Sequence, residues 1–188
     1  KTQGGQMRLG VMCSGNGTNF ENILRSCWDD EVVLMIHNKK DCGAARRAMK
    51  FGVPHCHIKA KDEDDIIKIF KAWNVDLIVM AGWMRIVSKD FCAAFPDRII
   101  NLHPSLLPKY KGLHAIEQAL NSGDDVTGCT VHYVTEELDS GRIIMQQEVP
   151  IRPEDDINSL TKAIQRAEYS LLPEAIKHVK HQIQTPAH

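Results

Sequence analysis

Two polar residues, Asn101 and His103, occupy alternate positions in the segment Asn101-Leu102-His103-Pro104-Ser105. In an extended chain this alternation places the amide and the imidazole on one side, while Leu102 points away. An amide and a protonated imidazole both donate hydrogen bonds to the developing oxyanion of an acyl-transfer intermediate, and a histidine also moves protons. The pair therefore predicts acyl-transfer chemistry, although a single histidine before a proline is also typical of a turn.

A third candidate, Asp139, lies in the polar segment Glu136-Glu137-Leu138-Asp139-Ser140-Gly141. A carboxylate next to an imidazole favours the charged ring and fixes its orientation. Asp139 is remote from His103 along the chain, so this role requires the segment to fold back toward the histidine. The same segment is also typical of an acidic hairpin turn.

A run of small residues, Ser14-Gly15-Asn16-Gly17-Thr18-Asn19, follows the first predicted strand and precedes a predicted helix. Free backbone N–H groups and a helix N-terminus can hold a phosphate group there. The dinucleotide pattern Gly-x-Gly-x-x-Gly is not met, because Phe20 takes the third glycine position. The run predicts a monophosphate site; the alternative is a glycine-rich turn in which Thr18 or Asn19 caps the helix.

The segment Gly82-Trp83-Met84-Arg85-Ile86-Val87 follows the most apolar predicted strand. An aromatic ring, a thioether and exposed backbone could together bind a flat heterocycle. The alternative is that Trp83 and Met84 pack in the core while Arg85 is solvated.

The elements that must position these residues alternate in type along the chain. Apolar β-rich runs at 8–13, 32–37, 55–58, 77–81 and 99–102 are separated by amphipathic helical patterns at 18–26, 43–51 and 62–73. This βαβ pattern predicts an α/β fold, with a Rossmann-like, open, mostly parallel twisted sheet and helices on both faces. Two further runs, 127–134 and 142–149, predict an antiparallel addition near the C-terminus, and a closing helix over 157–179 should kink or divide at Pro173.

The composition is that of an ordinary globular protein. The 188 residues are 43% hydrophobic and 25% charged with a net charge of -1, which predicts one compact domain over residues 7–180 and argues against nucleic acid as a partner. Residues 1–6 are expected to be a leader and residues 181–188 a tail. The longest apolar run of the sequence is too short to cross a membrane. The six scattered cysteines predict reduced thiols in the cytoplasm, and no clustered ligand set predicts a metal.

Taken together, four segments resemble the phosphoribosylglycinamide formyltransferase family: Ser14 to Asn19, Ala81 to Arg85, Leu138 to Gly141, and Asn101-Leu102-His103-Pro104-Ser105-Leu106-Leu107-Pro108-Lys109-Tyr110-Lys111-Gly112. The resemblance extends from about residue 7 to residue 173. Several folate-dependent formyl transferases and hydrolases share the longest of these segments, and the glycine-rich loop narrows the choice.

The resemblance implies a reaction in de novo purine synthesis. The amine of glycinamide ribonucleotide would attack the formyl group of 10-formyltetrahydrofolate directly, with Asn101, His103 and Asp139 as the catalytic residues. It implies ribonucleotide contacts from Gly17, Thr18, Asn19 and Glu168, although Glu168 could also lie on a solvated helix face. It implies folate contacts from Lys59, Met84, Arg85, Ile86, Val87 and Asn101, with Lys59 standing where the family often has an arginine.

Three rival interpretations follow from the same residues. A 10-formyltetrahydrofolate hydrolase uses similar catalytic side chains behind an amino-terminal regulatory domain, and a methionyl-tRNA formyltransferase adds a carboxyl-terminal domain and a basic surface. A non-catalytic nucleotide-binding module would not need Asn101, His103 and Asp139 together. We expect the ribonucleotide enzyme, acting on two small-molecule substrates without a membrane partner, as a monomer or a homodimer.

Overall fold

The computed structural model describes residues 5–185, so that parts of the predicted leader and tail, residues 1–4 and 186–188, lie outside the described residues. Seven strands form one sheet in the order β3-β2-β1-β4-β5-β6-β7. The strands are β1 Arg8–Cys13, β2 Glu31–His37, β3 His55–His57, β4 Leu77–Met80, β5 Ile99–His103, β6 Val126–Tyr133 and β7 Ile143–Pro150. Strands β1 to β5 pair in parallel, and β6 and β7 are antiparallel, which confirms the predicted fold class.

Six helices connect and cover the sheet: α1 Thr18–Ser26, α2 Gly43–Phe51, α3 Glu63–Ala72, α4 Lys89–Ala94, α5 Ala115–Ser122 and α6 Ile157–Gln184. The first two match the predicted bounds. Helix α3 is shorter by one residue at each end, where Asp62 and Trp73 are the flanking caps. The sequence did not predict α4 and α5, which are only six and eight residues long.

Alternate side chains of the central strands pack on opposite faces of the sheet. In β1, Leu9, Val11 and Cys13 join the core beneath α1, α2 and α6, whereas Met12 joins the core beneath α3 and α4. At Gly10 the Phe70 ring lies so close that a Cβ atom would be only 2.6 Å from its Cε1 atom. The central strand is therefore buried on both faces, as is typical of a doubly covered parallel sheet.

Helix α6 continues without interruption through Pro173, so the predicted division at this residue is wrong. Proline has no N–H group, and the carbonyl four residues earlier, that of Tyr169, loses its helical donor. The Asn22 side chain donates a hydrogen bond to this carbonyl at 3.1 Å from α1. A helix tolerates an internal proline when another group satisfies the freed carbonyl, and Asn22 does so here.

The two ends of the described chain lie next to each other. Gln184 donates a hydrogen bond from Nε2 to the Gly5 carbonyl oxygen at 2.7 Å. Nearby, Asp30 accepts the Met7 backbone N–H at 2.9 Å and pairs with the Lys180 ammonium at 2.7 Å. No helix in residues 5–185 is both long and apolar enough to cross a membrane.

Candidate active site

A cavity of about 760 Å³ opens at the carboxyl ends of β1, β4 and β5. Ligands of open α/β sheets bind in this position. The lining includes every residue that the sequence assigned to a site except Lys59: Gly17, Thr18, Asn19, Met84, Arg85, Ile86, Val87, Asn101, His103, Asp139 and Glu168. Lys59 is exposed and is not part of this lining, and its contact with folate stays a prediction.

Both ring nitrogens of His103 face hydrogen-bond acceptors. Nδ1 lies 3.4 Å from Asp139 Oδ2, and Nε2 donates to the Tyr110 carbonyl oxygen at 2.8 Å. The doubly protonated ring satisfies both contacts, whereas a neutral ring would turn one lone pair toward an acceptor. The histidine and the aspartate are both nearly excluded from solvent, at 5% and 8% exposure, so water only weakly screens an electrostatic interaction between the two side chains.

The backbone around Asp139 aims its carboxylate at His103. Asp139 has a φ of 49°, a left-handed conformation that aspartate tolerates better than most residues. Its Oδ2 atom accepts the Gly112 backbone N–H at 2.7 Å, and Lys111 donates to Ser140 Oγ at 2.9 Å. Two hydrogen bonds therefore tie the 135–141 loop to the segment that follows β5.

His132 was not predicted as a site residue and lies directly beside Asn101. The two are partners in the antiparallel pairing of β5 with β6, and Asn101 Nδ2 lies 3.2 Å from His132 Nε2. His132 Nδ1 lies 3.0 Å from the Tyr133 carbonyl oxygen. Burial lowers the pKa of His132, more than the nearby Asp139 raises it, which favours the neutral ring.

The neutral His132 ring completes a consistent set of hydrogen bonds. With the proton on Nδ1, donated to Tyr133, the Nε2 lone pair accepts one amide proton of Asn101. The Asp139 Oδ1 atom is 3.7 Å from His132 Nε2, too far for a hydrogen bond. Asn101 is thus held in place and keeps its second amide proton for the cavity.

Helix α1 begins at the glycine-rich loop without a side-chain cap. Gly17 is the N-cap residue, with a φ of 78° and no capping hydrogen bond, so that neither Thr18 nor Asn19 serves as the cap. A Cβ atom at Gly17 would lie 2.7 Å from the Ala44 Cα atom in α2. The loop needs glycine at this position, and the helix presents its first N–H groups without a side-chain acceptor.

The glycine-rich loop is anchored to its neighbours on both sides. Ser14 donates its backbone N–H to the Gly82 carbonyl oxygen at 2.9 Å, and its Oγ atom accepts the Met84 N–H at 2.8 Å. On the other side, Arg47 donates to the Asn16 carbonyl oxygen at 2.7 Å and pairs with Glu21 at 2.6 Å. The loop and the segment that follows β4 therefore form one continuous wall.

Glu168 brings a buried carboxyl group from α6 to the cavity. It is 8% exposed and accepts a hydrogen bond from Asn19 Nδ2 at 3.3 Å. Burial raises the pKa of Glu168 to about 7, and the Asn19 hydrogen bond opposes the shift only in part. The buried Asn19 Oδ1 atom has no hydrogen-bond partner among the described residues.

The wall after β4 mixes buried and exposed side chains. Trp83 and Val87 are buried in the core beneath α3 and α4, as the core alternative for Trp83 expected. Met84 and Ile86 are 58% and 61% exposed and line the cavity. An exposed apolar surface beside the catalytic candidates can cover a flat ring.

Comparison with known proteins agrees with this geometry. The formyl transferase family model matches residues 7–176. A phosphoribosylglycinamide formyltransferase of Haemophilus influenzae is 37% identical over 90% of this chain and 85% of its own length. The glycinamide ribonucleotide transformylase 1 structure from Symbiobacterium toebii superposes with a TM-score of 0.91 at 38% identity, covering 96% of this chain and 91% of that one.

Some relatives are much longer. The trifunctional purine biosynthetic protein adenosine-3 of Drosophila melanogaster is 41% identical over 90% of this chain, which spans only 14% of that protein. The family model, the Haemophilus influenzae relative and the superposed Symbiobacterium toebii structure nevertheless indicate the same family. The chain belongs to the phosphoribosylglycinamide formyltransferase family of formyl transferases.

Proposed function

We propose that this protein transfers the formyl group of 10-formyltetrahydrofolate to the amine of glycinamide ribonucleotide, a step of purine biosynthesis. The observation that carries the proposal is that Asn101, His103 and Asp139 line one cavity. The other walls of this cavity are the glycine-rich loop, which is of a type that binds phosphate, and the exposed apolar surface after β4. Family membership supports the same reaction.

The two substrates would occupy different parts of the cavity. The phosphate of the ribonucleotide would bind the N–H groups of Gly17, Thr18 and Asn19, and its sugar would reach Glu168. The folate ring would lie against Met84, Arg85, Ile86 and Val87.

The transfer itself needs no nucleophilic side chain. The substrate amine attacks the formyl carbon, a C–N bond forms, and the carbonyl oxygen becomes an oxyanion that would accept a hydrogen bond from the free Asn101 N–H and be stabilised by the nearby His103 ring. The bond to the folate nitrogen then breaks; the attacking nitrogen loses a proton and the leaving nitrogen gains one. Asp139 would hold the His103 ring in its orientation while these protons move.

A cytoplasmic location fits the state of the cysteines. All six are free thiols. Within residues 5–185 no group of three or more His, Cys, Asp or Glu side chains is arranged as a metal site, and the independence of the reaction from metal stays a prediction.

One assay tests the proposal against hydrolysis. The protein is incubated with 10-formyltetrahydrofolate, with and without glycinamide ribonucleotide, and loss of the formyl group is followed. Loss that requires the ribonucleotide supports transfer, whereas equal loss without it would establish a hydrolase. His103→Ala should lower kcat about 10²- to 10⁴-fold with ribonucleotide binding retained. The matched control is His178→Ala, an exposed histidine of α6 outside the cavity.

A further inference from the structure

We propose that the Lys39 ammonium group binds the phosphate of the ribonucleotide substrate. The resemblance described above does not include Lys39 among the ribonucleotide contacts, and the inference rests on the proposed function because it concerns the same substrate.

The sheet places Lys39 beside the glycine-rich loop. Cys13 and His37 are paired residues at the carboxyl ends of the parallel strands β1 and β2. Adjacent strands lie about 4.8 Å apart, so the two loops leave the sheet at the same level, side by side. Lys39 is the second residue beyond β2 and lines the cavity together with Gly15, Asn16 and Gly17.

Histidines hold the backbone that carries Lys39. His37 is 3% exposed, and its Nδ1 atom lies 2.8 Å from the Lys39 carbonyl oxygen. His57 Nε2 lies 3.3 Å from the Asn38 carbonyl oxygen, and His55 Nδ1 lies 3.3 Å from His37 Nε2. These contacts fit one placement of the protons on the three imidazole rings: His37 and His57 donate to the two carbonyl oxygens, and His55 donates to His37.

The state of the His37 ring is consistent with this arrangement. Burial lowers the pKa of His37, and the neighbouring His55 and His57 lower it further. A neutral ring with its proton on Nδ1 is the form that donates to Lys39 and accepts from His55. The loop backbone is therefore fixed on strands β2 and β3, whereas the Lys39 side chain is exposed.

The charges around the loop single out Lys39. Lys39 and Arg85 are the two lysine or arginine residues in the described lining. Arg85 follows β4, on the far side of β1, within the wall proposed for the folate. Arg47, which also contacts the loop, is already paired with Glu21 and bound to the Asn16 carbonyl oxygen.

Lys39 itself is uncommitted. Among residues 5–185, no carboxylate lies within 4.0 Å of its ammonium group. Backbone N–H groups and a helix N-terminus bind a phosphate, but a phosphate dianion also favours a full positive charge, which a lysine supplies as a point charge. The flexible stem allows the ammonium group to reach the phosphate from the neighbouring loop.

The test compares Lys39→Met with Lys40→Met, a control at the adjacent exposed lysine that does not line the cavity. For Lys39→Met we expect KM for glycinamide ribonucleotide to rise about tenfold or more, with kcat and KM for the folate little changed. With glycinamide riboside, which lacks the phosphate, Lys39→Met and the unsubstituted protein should behave alike. An equal loss with both substrates, or no loss with the ribonucleotide, would overturn the inference.

Direct binding separates this inference from the proposed function. Ribose 5-phosphate is titrated calorimetrically into the unsubstituted protein and both variants without folate. Affinity should fall about tenfold in Lys39→Met alone. If formyl transfer to the ribonucleotide is absent but this loss occurs, the proposed function fails and the phosphate role of Lys39 stands. Unchanged or undetectable affinity across the three proteins would refute the role of Lys39.

Discussion

Glu168 is a buried acid whose ionisation should weaken the fold. Because its pKa in the folded protein is raised from 4.5 to about 7, the folded state holds the proton more tightly than the unfolded chain does. The stability associated with this proton is fully present below about pH 4.5 and is lost as the pH rises through about 7. The loss at alkaline pH is roughly 3.5 kcal/mol as an upper limit, at about 1.4 kcal/mol per pKa unit.

Glu168→Gln should remove this dependence on pH. The free energy of unfolding, measured by urea denaturation at about pH 5 and about pH 8, should fall less for the variant than for the unsubstituted protein over that interval. Glu174→Gln, at an exposed position of the same helix, is the matched control. Equal pH dependence in all three proteins would show that Glu168 is not held protonated by burial.

The sequence could predict the positions within one strand but not the contacts between strands. Alternation along β5 was sufficient to associate Asn101 with His103. The proximity of Asp139 depended on the family resemblance, because a loop must fold back across β6 to reach the histidine. His132 carried a usable signal, since it alternates with Thr130 along a predicted strand, but only the pairing of β5 with β6 brings it to Asn101. Lys39 likewise depends on the pairing of β1 with β2.

At the scale of elements, the join between α1 and α6 should depend on Asn22. Asn22→Ala leaves the Tyr169 carbonyl without a donor, which should cost about 1–2 kcal/mol of unfolding free energy. In a Pro173→Ala background the new backbone N–H can bind that carbonyl, so the same Asn22 substitution should cost clearly less. Urea denaturation of the two single variants and the double variant measures this difference. Equal costs in the two backgrounds would mean that the side chain does not compensate for the proline.

The elements that the sequence predicted are those with a long apolar pattern. The seven strands and four of the six helices, α1, α2, α3 and α6, were found because buried runs and amphipathic faces persist over several residues. Helix α4, with six residues, is too short to show a helical period and depends instead on the Ser88 side chain, which accepts the Phe91 N–H at 3.1 Å. The prediction that the closing helix divides at Pro173 was wrong because the group that compensates for the proline, the Asn22 side chain, comes from α1.

For the whole molecule, the alternation of elements predicted the fold class but not the order of the strands. The order of the strands depends on the face of the sheet over which each connecting helix passes. The helices form a separate core on each of the two faces of β1. The sheet order places the β1 loop between the loops after β2 and β4, and both neighbouring loops contribute to the cavity. The boundaries of the domain at residues 7 and 180 stay a prediction.

The hydrogen bond between Gln184 and Gly5 has a consequence for how the chain can be connected. Because the two ends of the described fold touch, a short flexible linker can join them, and the polypeptide can be reopened elsewhere as a circular permutant. A permutant opened in the exposed turn at residues 152–154, outside the cavity lining, should fold and retain KM for both substrates. A permutant that folds but loses ribonucleotide binding would show that chain continuity at this turn positions the site. The same closeness would let the fold sit within a longer polypeptide while its entry and exit stay on one side.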